Sequence, residues 1–263
     1  MKLSLMTWDI AKESTLDEIL AASKSAGIEG FEFRGGASQK HGVELTRTPA
    51  ERAEIRKKVA DAGFQVAGIA TGCEFHFADP AKRREQLDLA KRYADLAADI
   101  GAMQIRVFSN DLPEGHSRDA IVGWTADCLR ELAEHGSKRG VRANLELHGK
   151  FMEPELCVGA VTKCNHPNAG IVYNSVNRDI ENGSIRKVLE QVWPLVRHVH
   201  VHEFGSDAKF PYMELVEWML RKNYDGWCSI EVARLNLKSF LSIYRCGFDA
   251  YVQIAKSRIS GKP

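Results

Sequence analysis

Lys2-Leu-Ser-Leu-Met-Thr-Trp8, followed by Thr15-Leu-Asp-Glu18 and closed by Gly27, is the stretch on which the fold turns. The first segment alternates as a strand does and breaks at Asp9. Thr15 and Glu18 have the spacing of a capping box, in which a hydroxyl and a carboxylate each satisfy a free backbone N–H, and Gly27 supplies a left-handed stop. The stretch therefore predicts strand, helix, stop. Outward from it the unit recurs. Gly30 to Arg34 is a strand with Glu32 and Arg34 on one face, a Gly/Ser/Gln loop runs through Val43, and Thr48-Pro49-Ala50-Glu51 opens a helix with Gly63 past its end. Gln65 to Ala70 is a third strand. Asp79-Pro80 then opens a long helix to Ile100, with Leu87, Ala90, Tyr93, Ala94 and Ala97 as its apolar stripe.

The rest of the chain repeats the pattern. Met103 to Phe108, Val141 to His148, Ile171 to Asn174, Val196 to Glu203 and Trp227 to Val232 read as strands. Helical segments follow them at Ile121 to Leu132, Glu153 to Cys164, Ser184 to Val192, Met213 to Leu220 and Phe240 to Ile254. Eight strands each followed by a helix, with no long linker, predict an α/β chain folded as a single (β/α)8 TIM barrel over residues 1–263. No Gly-x-Gly-x-x-Gly follows the first strand, which removes the best sign of a dinucleotide fold.

With 44% hydrophobic and 27% charged residues and a net charge of +1, the 263 residues have the make-up of an ordinary water-soluble domain. No basic block marks a nucleic-acid partner and no long apolar run marks a membrane span, so the expected partner is a small molecule. The six cysteines, Cys73, Cys128, Cys157, Cys164, Cys228 and Cys246, lack the two-residue spacing of zinc ribbons and redox motifs and read as reduced thiols. A cytoplasmic location is the corresponding expectation. A homo-oligomer is compatible with the sequence but not specified by it.

In such barrels the reacting groups gather at the C-terminal ends of the strands. Trp8, Glu32 and Arg34, His76, Arg106, Glu146 and His148, Asn174 and Asn177, His200, His202 and Glu203, and Glu231 with Arg234 all fall at or just past such an end. Val196-Arg-His-Val-His-Val-His-Glu-Phe204 places His198, His200 and His202 on one strand face, and a buried imidazole needs partners for both ring nitrogens. Glu146 and Glu231 each end an apolar strand, where an unpaired carboxylate is costly and a cation between the two offsets the cost. Two carboxylates, an imidazole and the oxygen of Asn174 suit Mn2+, Mg2+ or Zn2+. Plainer roles compete: Glu32 with Arg34 as an internal ion pair, Arg106 as the neutraliser of a carboxylate, His76 as an exposed loop histidine.

At these residues the chain resembles the xylose isomerase-like sugar phosphate isomerase/epimerase superfamily over nearly its whole length. Asn-Leu-Glu-Leu-His matches at Glu146, with His148 beside the site. His-Val-His-Val-His-Glu is similar to the family's His-x-His-x-Lys-Asp, which implies His200 as a metal ligand, His198 as its upstream companion and His202 in place of lysine. Asp-Gly-Trp-Cys-Ser-Ile-Glu implies the last ligand at Glu231. Where the family has Asp-x-x-His, this chain reads Asn174-Ser-Val-Asn177. The implied ligands are then Glu146, Asn174, His200 and Glu231, with one negative charge fewer than usual, and weak binding of the divalent ion is expected.

The resemblance implies an isomerase or epimerase of carbohydrate metabolism, in which a metal steadies an enediolate while Glu146 and Glu231 move a proton. Arg34, Arg106, His76 and His148 are candidates for gripping hydroxyls or a phosphate, with Trp8 as an apolar wall. Glu32, Asn177, His202 and Arg234 complete the candidate substrate-binding set. A dehydratase or lyase of a keto-sugar or keto-inositol needs the same enolate. The change at Asn174 and Asn177 also fits a non-catalytic sugar-binding or partner subunit. An abasic-site endonuclease ranks below these, because Gly205 to Phe210 lacks the Asp-x-His of a metal cluster.

Overall fold

The computed structural model describes residues 1–36, 38–204, 209–233 and 236–261. Its strands are β1 (Lys2–Met6), β2 (Gly30–Arg34), β3 (Gln65–Glu74), β4 (Gln104–Phe108), β5 (Arg142–Glu146), β6 (Ala169–Asn174), β7 (Val196–Val201) and β8 (Trp227–Ile230). They form a closed parallel barrel in chain order, β8 pairing back onto β1. Its helices are α1 (Leu16–Ala26), α2 (Pro49–Asp61), α3 (Pro80–Ile100), α4 (Arg118–Ser137), α5 (Pro154–Cys164), α6 (Arg186–Val192), α7 (Tyr212–Arg221) and α8 (Leu237–Ser260). One helix follows each strand, so the expected (β/α)8 TIM barrel is the fold. None of the helices is long and apolar enough to cross a membrane. All six cysteines are free thiols.

The local signals do what their chemistry requires. Thr15 with Glu18 and Thr48 with Glu51 both close full capping boxes, and Asp79 caps α3 through the Ala81 N–H. Each such cap contributes about 1 kcal/mol. Strand ends depart from expectation. β3 runs on to Glu74, β5 stops at Glu146 so that His148 precedes a 3-10 turn at Gly149–Met152, and β7 and β8 stop before His202 and Glu231.

Alternation then sorts the side chains. Leu3, Leu5, Phe31, Phe33, Ile69, Ile105, Leu145, Ile171, Val199 and Ile230 are buried in the hydrophobic core. Residues of opposite phase point into the barrel. Trp227 closes one end, and a Cβ on Gly30 would lie 2.7 Å from its ring, so glycine is needed there for close approach. Above it lies a polar layer. The Ser4 and Ser229 hydroxyls meet at 2.7 Å, Ser229 reaches His198 Nε2 at 2.7 Å, His198 Nδ1 reaches Gln104 Nε2 at 2.5 Å, and Gln104 accepts from Asn144. Branched apolar side chains usually fill such a barrel. Here a hydrogen-bonded network underlies the mouth and supports the layer above it.

Candidate metal centre and active site

His200 is the hub of the upper layer. Its Nε2 lies 2.9 Å from Glu32 Oε2, and its Nδ1 lies 3.0 Å from Glu231 Oε2 and 3.7 Å from Glu146 Oε2. Glu32 Oε2 also takes His198 Nε2 at 3.0 Å. One buried carboxylate thus orients both rings from below, an arrangement that fixes which nitrogen of a ligating histidine is free. Burial disfavours charge on His200, but Glu32, Glu146 and Glu231 outweigh it and raise its pKa well above the ordinary value. The cluster demands a cation, and without a metal a proton on His200 meets that demand.

Glu146 is held on both sides. Its Oε1 accepts from Asn174 Nδ2 at 2.7 Å, and its Oε2 lies 2.9 Å from Arg106 Nε. Burial pushes its carboxyl up, yet the Arg106 guanidinium and His200 hold it down at about 2. Glu231 is freer: its backbone carbonyl accepts from His202 Nδ1 at 2.6 Å, while its side chain keeps 15% exposure. Asn174 spans the two sides, its amide oxygen 2.7 Å from His202 Nε2. It therefore presents an N–H, not a lone pair, to the cluster.

The donor set fits a divalent cation. Glu146 Oε2, His200 Nδ1 and Glu231 Oε2 lie within 4.8 Å of one another, and all three are buried without a hydrogen-bond partner among the described residues. Their contacts are ion pairs only, Glu146 Oε2 with Arg106 at 2.9 Å and Glu231 Oε2 with His200 at 3.0 Å, and buried acceptors that lack a hydrogen bond are uncommon and costly in a native protein. Glu32, His198 and His200 make a second cluster of donors, but their nitrogens are spent on Glu32, Ser229 and Gln104. That cluster supports the first.

Beside the cluster opens a cavity of about 440 Å³, lined by Trp8, Arg34, Arg106, Phe108, His148, Gly149, Met152, Asn174, Val176, His202 and Glu231. The structure thus brings Trp8, Arg34, Arg106, His148 and His202 to one space with Asn174 and Glu231. Glu32 does not line it; β2 turns this carboxylate inward, under the two histidines. Nor does Glu32 pair with Arg34, whose Nη1 donates to the Gly35 and Ala70 carbonyls. His76 is buried away from the cavity, its Nδ1 accepting from the Asn110 N–H at 3.2 Å. Asn177 is exposed at the start of a 3-10 turn, Asn177–Asp179. Arg234 lies outside the described residues, as do Gly205 to Ala208 of the loop read for a metal-cluster motif.

Several lining residues were not anticipated. Phe108, Met152 and Val176 sit in or beside loops, where an apolar residue carries no periodic signal. Gln104, Asn144 and Ser229 did have one. Each stands two residues before a mouth residue, at Arg106 and Glu146 on the same strand and at Glu231 just past the end of β8, and so must point into the barrel one layer down.

Comparison with known proteins bears on the fold and the family. The chain is 24% identical over 221 residues to 3-dehydroshikimate dehydratase of Pseudomonas aeruginosa, an overlap of 83% of this chain and 32% of the dehydratase. It therefore spans about a third of that relative's length. Among solved structures, L-ribulose 3-epimerase superposes with a TM-score of 0.81 at 16% identity, covering 99% of this chain and 97% of the epimerase. The IolI protein, solved with a bound zinc atom, gives a TM-score of 0.76 at 14% identity, covering 98% of each chain. The family model described as xylose isomerase-like TIM barrel matches residues 20–241, and the chain belongs to that family.

Proposed function

We propose that this chain is a metal-assisted isomerase or epimerase that moves a proton on a carbon next to the carbonyl of a sugar or keto acid. The observation that carries the reading is the convergence of three buried ligand atoms, on Glu146, His200 and Glu231, that have ion-pair contacts but no hydrogen bond among the described residues, at a cavity into which Glu231 faces. Those three residues would hold the ion. When bound, a divalent ion withdraws charge from a carbonyl and its neighbouring hydroxyl and so acidifies the hydrogen on the carbon between them.

The side chains divide the remaining work. Glu146, clamped by Asn174 and Arg106, stays ionised and still. Glu231 has no such clamp and is the group placed to take the proton. Isomerisation asks Glu231 to return it to the adjacent carbon, whereas epimerisation asks a second carboxyl, Glu146, to return it from the other face. His148 and His202 border the same cavity and can donate to substrate oxygens. Trp8, 42% exposed, covers the cavity with an apolar wall.

One observation favours a second reading, dehydration of a keto acid: the sequence match to 3-dehydroshikimate dehydratase over 83% of this chain. Dehydration begins with the same proton removal, after which the C–O bond to the β-hydroxyl breaks and the carboxyl of Glu231 returns the proton to the departing oxygen as water. Incubation with Mn2+ and a panel of ketoses, keto acids and keto-inositols in deuterated water tests both. At least one compound is expected to gain deuterium next to its carbonyl, with loss of water marking the dehydratase. Turnover of a compound with neither deuterium gained at any carbon nor water lost contradicts proton transfer.

A further inference from the structure

Arg34, at the end of β2, lines the cavity with its counter-charge missing. Its Nη1 donates to the carbonyls of Gly35 at 2.6 Å and Ala70 at 3.0 Å, while Nε and Nη2 make no hydrogen bond among the described residues. Among the described residues no carboxylate lies within ion-pair distance of it. Glu44 acts on it only through space and is spent on the Gly36 N–H, at 3.0 and 3.2 Å. Burial and the neighbouring Arg106 charge both disfavour its charge. Even so, the notch it occupies is built for it: a Cβ on Gly72 would meet Arg34 Nη2 at 3.2 Å.

The other charged groups of the mouth among the described residues have partners, Glu231 resting on His200 Nδ1 at 3.0 Å. Arg106 lies on Glu146, and Glu32 lies between His198 and His200. Among the described residues, three carboxylates, Glu32, Glu146 and Glu231, face two guanidiniums, Arg34 and Arg106. A divalent ion turns this balance to one surplus positive charge, and one monoanionic ligand group closes it. A phosphate dianion overshoots. A partly buried guanidinium with a free edge of N–H donors matches the two oxygens of a carboxylate.

We infer that the substrate is a keto acid whose carboxylate seats on the free edge of Arg34. The inference rests on the proton-transfer reading and narrows its substrate class. Titration calorimetry in the presence of Mn2+ tests it with 2-keto-D-gluconate, D-fructose and D-fructose 6-phosphate, which share a keto-sugar skeleton and differ in charge. The acid is expected to bind about 10- to 100-fold more tightly than D-fructose, the range of a charge-assisted pair. Arg34→Gln is expected to erase that preference. Arg34→Lys, which keeps the charge but loses the planar fork, is expected to keep part of it, and this guards against a folding artefact. Equal binding of acid and neutral ketose overturns the inference, as does an acid preference that survives Arg34→Gln, tighter binding of the phosphate, or no binding of the acid. Deuterium exchange separates the two readings. Arg34-dependent binding of the acid without exchange contradicts proton transfer alone, and exchange on a neutral ketose that ignores Arg34→Gln contradicts the carboxylate seat alone.

Discussion

Glu231→Gln is expected to lower the rate of deuterium incorporation by about 10²- to 10⁴-fold, the usual contribution of a positioned general base, while leaving the barrel intact. The expectation of an intact fold follows from how Glu231 is held. Its backbone N–H donates to Val201 at 2.9 Å and its carbonyl accepts from His202 at 2.6 Å, and neither contact involves the carboxylate. Glutamine keeps the volume and cannot take the proton, and because Glu231 would also hold the ion the rates are compared at saturating Mn2+. Glu146→Gln is a poorer test, because Glu146 is the buried partner of Arg106. Breaking a buried pair from one side costs about 3–5 kcal/mol, so lost activity there would mix chemistry with folding. A Glu231→Gln protein that exchanges at the wild-type rate, with unchanged melting temperature, removes Glu231 from the proton-transfer role.

Asn174→Asp is expected to tighten Mn2+ binding by about tenfold or more, since it adds a full charge to a site that holds a hard cation electrostatically. The cost falls on the metal-free protein. Asn174 now donates an N–H to Glu146 at 2.7 Å, and an aspartate there would set two carboxylates against each other in a buried place. The melting temperature of the metal-free variant should therefore fall, and saturating Mn2+ should restore it by favouring the folded state. Titration calorimetry and thermal melts with and without Mn2+ check both signs. Equal or weaker affinity in the variant means that the pocket is shaped around an amide.

The barrel was legible because its signals are local. Thr15 with Glu18, Thr48 with Glu51 and Asp79 before Pro80 each announce a helix start from within one turn of chain. The mouth was legible only as a list of strand ends. Period two gives the face of a strand but not the depth, which is set by register with its neighbours. His198, His200 and His202 share a phase, yet His198 lies one layer down against Gln104 and Ser229, while His202 lies past the end of β7 against Asn174. The register shift between Ile171 and Val172 on β6 is part of what sets that depth, and no motif within β7 reports it. The motif that puts Asn174 in the ligand set does not report its orientation, which depends on His202, a contact across 28 residues. His76 is drawn under Asn110 because β3 continues four residues beyond Ala70, to Glu74.

A divalent ion shared by Glu146, His200 and Glu231 is the claim on which the rest depends. Anomalous diffraction from crystals grown with Mn2+ tests it most directly. The predicted result is one strong peak in contact with Glu146 Oε2, His200 Nδ1 and Glu231 Oε2. A map from Mn2+-saturated crystals with no peak there, or with a peak that His200 does not touch, contradicts it.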